Sequence, residues 1–172
     1  NPKAENIIGT IGTDLLEKRI AVLDFKNSKV SFIEKIQEND FTPFEFKKRK
    51  ILIPSLLENQ NLKLLYDSGA SGYELITTKE IWQQYKIENS AVKTEKGNSW
   101  GNTLSIYSAS AKKKIQFAQL TLDLSEVTHI EGTPDLQKFL MKHSGMQGMI
   151  GNKLFLNHKL ILDCKNEKFT LE

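Results

Sequence analysis

The sequence predicts an all-β fold with short helices. Apolar residues alternate with polar ones in many short runs, the signature of half-buried strands. The runs are separated by Gly, Pro, Asn, Asp and Ser, which supply turn conformations. Helical spacing shows in only two short segments, around Ile81, Trp82 and Tyr85 and around Leu136, Phe139 and Leu140.

In chain order, an apolar run ends at Gly12, a short helical turn follows, and an alternating strand runs to a Lys26-Asn27 turn that feeds a further strand over residues 29–32. Residues 44–53 alternate as a strand closed by Pro54, because proline removes a ladder donor. Leu56-Leu57 and residues 62–66 flank the polar turn Glu58-Asn59-Gln60-Asn61 as a hairpin, and the second arm runs straight into Asp67-Ser68-Gly69. Thr78 is placed to cap a helix carrying Ile81, Trp82 and Tyr85, with packing against the sheet as its expected role. Residues 97–102 break the pattern and are bounded by strands. Residues 104–107 and 115–122 read as strands with the lysine-rich stretch 111–114 as a turn. Thr133-Pro134-Asp135 starts a helix that stops at Gly145. Residues 148–151 and 160–162 complete the strands.

The most informative feature is an internal repeat. Residues 11–32 (IGTDLLEKRIAVLDFKNSKVSF) align without a gap on residues 150–171 (IGNKLFLNHKLILDCKNEKFTL), at an offset of 150 − 11 = 139. Eight positions are identical: Ile11/Ile150, Gly12/Gly151, Leu15/Leu154, Leu23/Leu162, Asp24/Asp163, Lys26/Lys165, Asn27/Asn166 and Lys29/Lys168. Unrelated segments of this length would share about one or two. The chain therefore divides into the tail of a preceding, mostly absent lobe (1–33), a connector (34–42) and one complete lobe (43–172). Asp24 and Asp163 follow equivalent strands, so a repeated structural role, capping a turn, is expected of both.

Composition excludes several classes. A charged fraction of 26% against 39% hydrophobic residues fits a globular chain able to bury a core. The net charge of +3 comes almost wholly from scattered lysines, Arg19 and Arg49 being the only arginines. Nucleic-acid sites cluster basic residues and lean on arginine forks, so no nucleic-acid partner is expected. Cys164 is the only cysteine, which rules out an intrachain disulfide and a cysteine metal site. No apolar run is long enough for a helical membrane span. The chain starts at Asn1-Pro2 with no initiator Met or signal sequence, which reads as a processed or trimmed product and suits a secreted or cell-envelope protein.

Asp67 is the residue placed for chemistry, at the end of the apolar strand Leu64-Leu65-Tyr66 and followed by small residues. Asp, Ser and Gly also make ordinary turns, so the functional reading needs a second carboxylate beside the first. Two such groups cannot both ionise at close range. They share a proton, one activating water while the protonated partner polarises a carbonyl.

The segment Leu64-Leu65-Tyr66-Asp67-Ser68-Gly69-Ala70-Ser71 resembles the hydrophobic-hydrophobic-x-Asp-Thr/Ser-Gly-Ala-Ser signature of retropepsin-like and pepsin-like aspartic proteases. Their second mark, apolar-apolar-Gly near the end of a lobe, is matched by Met149-Ile150-Gly151 with Asn152 next, and Thr10-Ile11-Gly12 matches it for the preceding lobe. Residues 97–101 resemble the flap hairpin between the two marks, and the resemblance covers residues 44–171. It implies an acid-protease lobe and a peptide or protein substrate, with no cofactor and no metal. Asp67 maps onto the catalytic aspartate, and Ser68 and Gly69 onto the loop positions that brace the pair. Trp100 maps loosely onto a flap tip, with a structural role preferred. Ser68 stands where the family more often has Thr. The second Asp loop would come from an upstream lobe, at 67 − 139 = −72, or from a second subunit. Alone the chain should be inactive unless it dimerises.

The remaining motifs carry less. Gly69-Ala70-Ser71-Gly72 lacks nucleophile-elbow spacing, Gly9-Thr10-Ile11-Gly12 lacks the Lys-Ser/Thr ending of a phosphate loop, and His129, His143 and His158 lack ligand spacing. Two rival readings stay open: a protease-like domain that has kept the fold for binding or assembly, and a homodimeric protease of the retroviral kind, for which the N-terminal half-repeat would be a leftover.

Overall fold

The computed structural model describes residues 12–36, 41–99, 101–134 and 143–172. Strands dominate it, in two sheets. The larger contains β4 (Glu45–Lys47), β5 (Lys50–Leu57), β6 (Gln60–Tyr66), β7 (Leu75–Thr77), β8 (Val92–Ser99), β9 (Asn102–Phe117), β10 (Leu120–Glu131) and β11 (Gly148–Ile150). Its order is β4-β5-β6-β11-β7-β10-β9-β8, and a further pairing of β5 with β9 (Leu56 opposite Gln116, Leu57 opposite Ile115) closes six of the strands into a ring. Inside lie Ile53, Leu64, Leu75, Phe117, Val127 and Ile150, all fully buried. Helix α1 (Lys79–Tyr85) turns Ile81, Trp82 and Tyr85 onto this core, and the Thr78 Oγ1 accepts the Ile81 N–H at its start, as the capping residue predicts.

The smaller sheet has the order β2-β1-β12-β13-β3, with β1 Ile20–Asp24, β2 Lys29–Ile33, β3 Thr42–Pro43, β12 Lys159–Asp163 and β13 Lys168–Leu171. It brings the two similar segments together. Both contain a 3₁₀ turn (Thr13–Leu16, Asn152–Phe155), a strand, a turn and a second strand. In both the aspartate closes the turn: Asp24 accepts from the backbone and side chain of Asn27 at 3.0 and 2.9 Å, and Asp163 from those of Asn166 at 3.0 and 2.7 Å. β1 pairs antiparallel with β12 so that Val22 faces Ile161, its own counterpart at the offset of 139. Ile20 faces Asp163 and Asp24 faces Lys159, which are images of each other. The bonds Cys164 N–H to Arg19 O (3.0 Å) and Phe25 N–H to His158 O (3.2 Å) are images as well. A local two-fold axis thus runs between Val22 and Ile161.

Four local expectations are corrected. Residues 44–53 form a hairpin instead of one strand: Lys48 and Arg49 both take left-handed backbone (φ 49° and 61°), and β4 folds back on β5. Pro54 lies inside β5 and does not close it. It faces Lys63, whose N–H and C=O both turn away to Gln147, so no ladder donor is needed opposite. Residues 111–114 continue β9, with exposed Lys112 and Lys114 alternating with Ala111 and Lys113; the turn falls at Ala118 (φ 51°) and Gln119. The 56–66 hairpin forms with a tighter turn than expected, Glu58 and Asn59 only. The second helix expected from residue 133 falls largely on 135–142, outside the described residues.

Phe155 is fully buried where the segments meet, within 6.2 Å of the Phe25 and Tyr66 rings and 5.6 Å of Phe117. Phe155→Ala is expected to cost about 3–5 kcal/mol of unfolding free energy in urea titrations. Glu45 straps β4 to β6 through ion pairs with Lys47 and Lys63. Hydrogen bonds from Lys47 and then Lys63 pull its carboxyl down to about 2. A carboxyl depressed in the folded state stabilises above its unfolded pKa, and the effect is lost as pH falls toward the folded value. Glu45→Gln should therefore flatten the stability profile between about pH 4.5 and pH 2, read by thermal melts across that range.

Candidate active site

The site forms where β11 enters the larger sheet between β6 and β7. β11 runs parallel to β6 (Gly148 opposite Leu64, Ile150 opposite Tyr66) and antiparallel to β7. β6 and β7 are consecutive in sequence, so the segment joining them must loop around the end of β11. That segment is Asp67 to Glu74, and Asp67 sits where β6 ends, beside Ile150.

The approach is close enough to dictate side chains. A Cβ on Gly148 would lie 2.5 Å from the Ile76 carbonyl oxygen, and one on Gly151 would lie 2.0 Å from that of Ala70 and 2.7 Å from that of Tyr73. Glycine is thus required at both ends of β11 by contact, not by backbone conformation. The Asp67 N–H donates to the Ile150 carbonyl at 3.0 Å and the Lys153 N–H to that of Ser71 at 3.2 Å, binding the two crossing segments together. At the other end of β11, Gln147 acts as a clip. Its N–H donates to Lys63 O (3.0 Å), its Oε1 accepts from Lys63 N–H (2.7 Å) and its carbonyl accepts from the Thr77 hydroxyl (2.9 Å).

Asp67 is half-buried, whereas Ser68 and Gly69 are exposed. Its Oδ1 accepts the Gly69 N–H at 2.8 Å and caps the 3₁₀ turn Ser68–Ala70, while its carbonyl accepts from Ala70 at 3.0 Å. One carboxylate oxygen is therefore aligned by backbone, independently of side-chain rotamers elsewhere. The loop's far end is anchored by Glu74, buried and accepting from Ser125 N–H (2.7 Å), Ser125 Oγ (2.6 Å) and Glu126 N–H (3.1 Å) at the bulge in β10. Beneath the loop, the Tyr66 hydroxyl donates to Asn152 Oδ1 at 2.7 Å; burial, with the Asp67 charge next, raises its pKa.

Of the residues singled out in the sequence, the structure brings Asp67, Ser68 and Gly69 together with Ile150-Gly151-Asn152. Trp100 lies outside the described residues; the β8–β9 hairpin that leads to it is formed, with Ser99 opposite Asn102. Gln147 and Glu74 were not singled out, and nothing local marks them, since their partners are 84 and 51 residues away. His129 is packed between Trp82 and Tyr107, at 4.5 and 4.7 Å between ring centroids, and burial lowers its pKa. Among the described residues no group of three or more His, Cys, Asp or Glu could hold a metal ion, and no helix is long and apolar enough to cross a membrane. A groove lined by Glu17, Lys18, Phe46, Lys48, Arg49 and Cys164 includes no Asp-loop residue; burial there pushes the Cys164 thiol up to about 11.

No family model matches the chain, and no curated protein matches its sequence. Among solved structures, it is similar to a retropepsin-like aspartic protease from Rickettsia conorii, at 12% identity and a TM-score of 0.46, covering 79% of this chain and 98% of that one.

Gly151→Ala should displace the Asp67 loop and cost at least about 3 kcal/mol of stability, because the backbone it would strike cannot swing aside. Gly72→Ala, in the same loop but with nothing within 4 Å of the new Cβ, should stay within about 0.5 kcal/mol. Paired chemical denaturation curves of the two variants check this contrast.

Proposed function

We propose that the chain is one lobe of an aspartic endopeptidase, in which Asp67 supplies one carboxylate of a proton-sharing pair and a preceding lobe supplies the other. The observation that carries the reading is the crossing at the site. An Asp-Ser-Gly loop follows an apolar strand, and a late apolar-apolar-Gly strand threads between that strand and the next. Sequence motif and topology agree there on the same few residues.

In this reading the Gly69 N–H fixes Oδ1 of Asp67 and Oδ2 faces the reacting groups. A second carboxylate opposite could not ionise at the same time, so the pair would hold one proton between them. The ionised member takes a proton from water while the other donates to the scissile carbonyl oxygen. The water oxygen bonds to carbon, and collapse breaks the C–N bond as the amine leaves protonated. Ser68 and Gly69, exposed and small, let the partner loop approach, and the Ser68 hydroxyl bridges across. The substrate is a peptide segment in the cleft between lobes, with the β8–β9 hairpin as the flap candidate.

The tandem arrangement is favoured over a retroviral-type homodimer by the smaller sheet. A symmetric dimer built through that sheet would need the edge of β12, and β1 of the same chain fills it.

The test uses the longer polypeptide that includes the upstream lobe. It should cleave peptides somewhere between about pH 3 and pH 7, be blocked by a hydroxyl-bearing transition-state mimic, and lose at least about 10²-fold in kcat on Asp67→Asn. Absence of both cleavage and inhibitor binding would leave a binding or assembly module, and an active Asp67→Asn variant would remove Asp67 from the chemistry.

A further inference from the structure

The Asp67 loop ends in a buried carboxylate that the proton-sharing pair does not use. Glu74 is 7% exposed and accepts three hydrogen bonds at the β10 bulge, from the Ser125 and Glu126 N–H groups on Oε2 and from the Ser125 hydroxyl on Oε1. All three donors are neutral, and a buried charge held by neutral donors alone keeps a large desolvation cost. A second carboxylate stands beside it, because the residue that lends the third bond is Glu126. Lys153 answers both. Its Nζ lies 3.9 Å from Glu74 Oε1 and 3.1 Å from Glu126 Oε1. The charge of Glu126 also reaches Lys93 on β8, which pairs with Glu95 at 2.9 Å. For Glu74, Lys153 is the one cation within 4 Å among the described residues.

Lys153 stands two residues past Gly151, in the 3₁₀ turn Asn152–Phe155. Its backbone N–H donates to Ser71 O in the middle of the Asp67 loop at 3.2 Å, and its side chain reaches the end of that loop at Glu74. One residue leaving β11 thus grips the loop at two points. The backbone grip survives any substitution that keeps the fold, whereas the ionic grip depends on the ammonium. Without it, Glu74 and Glu126 would be neighbours of like charge, and the side chain of Glu126 would oppose the anchor that its own N–H provides.

We infer that Lys153 is a positioning residue for Asp67: by balancing the buried charge of Glu74 it keeps the far end of the Asp67 loop seated on the β10 bulge, and with it the turn that aligns the Asp67 carboxylate. The link to catalysis rests on the reading proposed above; the anchorage does not.

Hydrogen–deuterium exchange on the 172-residue chain tests the anchorage. Lys153→Met should speed exchange of the Gly69, Ala70 and Tyr73 amides at least about 10-fold and leave β1 unchanged, and Lys153→Arg should stay within about 3-fold of the parent. The charge itself is tested in a Glu74→Gln background. Glutamine keeps the three hydrogen bonds, its carbonyl accepting the two N–H groups while its amide donates to the Ser125 oxygen, but it has no charge to balance. Adding Lys153→Met there should change loop exchange by less than about 2-fold. Unchanged loop exchange in Lys153→Met would overturn the inference. So would equal acceleration in both backgrounds, which assigns the effect to packing of the lysine stem, or acceleration that spreads equally to β1. If Lys153→Met does not fold, the Glu74→Gln background decides: a folded chain with a protected loop supports the inference, and failure there overturns it. In the longer polypeptide, Lys153→Met should lower kcat at least about 10-fold with KM within about 3-fold, and Lys153→Arg should restore it. An active enzyme whose kcat ignores Lys153→Met would overturn the positioning role. A longer chain that cleaves nothing removes the enzymatic reading, and the exchange result then stands or falls alone.

Discussion

Everything at the candidate site depends on three residues of β11 fitting between two strands that the chain has already joined. A strand this short contributes few ladder bonds, so its position is fixed at its ends. Gly148 lets it lie against Ile76, Gly151 lets it leave beneath the Asp67 loop, and Gln147 locks the entry to both neighbours. The Asp67 carboxylate is placed by this arrangement at one remove. Its backbone bonds to Ile150, and its Oδ1 bonds to the turn that Gly151 leaves room for. Rigid backbone thus orients a carboxylate that a side-chain network alone would hold more loosely.

The smaller sheet obeys a different constraint. It gathers two copies of one pattern about a local axis, and each strand must bury the apolar face that its alternation creates. The later segment does so against the ring of strands, with Phe155 where the two segments meet. The first copy satisfies its backbone through β1 and β12 but leaves Val30 and Phe32 in solvent. The two similar segments thus meet different surroundings within one sheet.

Local chemistry was legible wherever the partner lay close in sequence. Thr78 reaches Ile81, Asp24 reaches Asn27 and Asp163 reaches Asn166, all three residues away. Alternation found the strands, but periodicity says nothing about where two strands of like pattern divide. That is why β4 and β5 read as one, and why the lysines of β9 read as a turn when they form the solvent side of a long strand. Pro54 misled for a related reason. A proline ends a strand only if its missing donor is needed, and whether it is needed depends on which way Lys63 faces.

By itself, the sequence determined the mostly β architecture, the similarity of residues 11–32 to residues 150–171 and the Asp67-Ser68-Gly69 loop after an apolar strand, because each is written in spacing and residue type along the chain. Only the tertiary structure decided that Ile150 and Gly151 lie against that loop, that Glu74 anchors its far end while Gln147 clips the start of β11, and that the two similar segments pair through Val22 and Ile161. Those are contacts across 51 to 139 residues. They arise from the order in which strands enter a closed sheet, and nothing in a local pattern records that order.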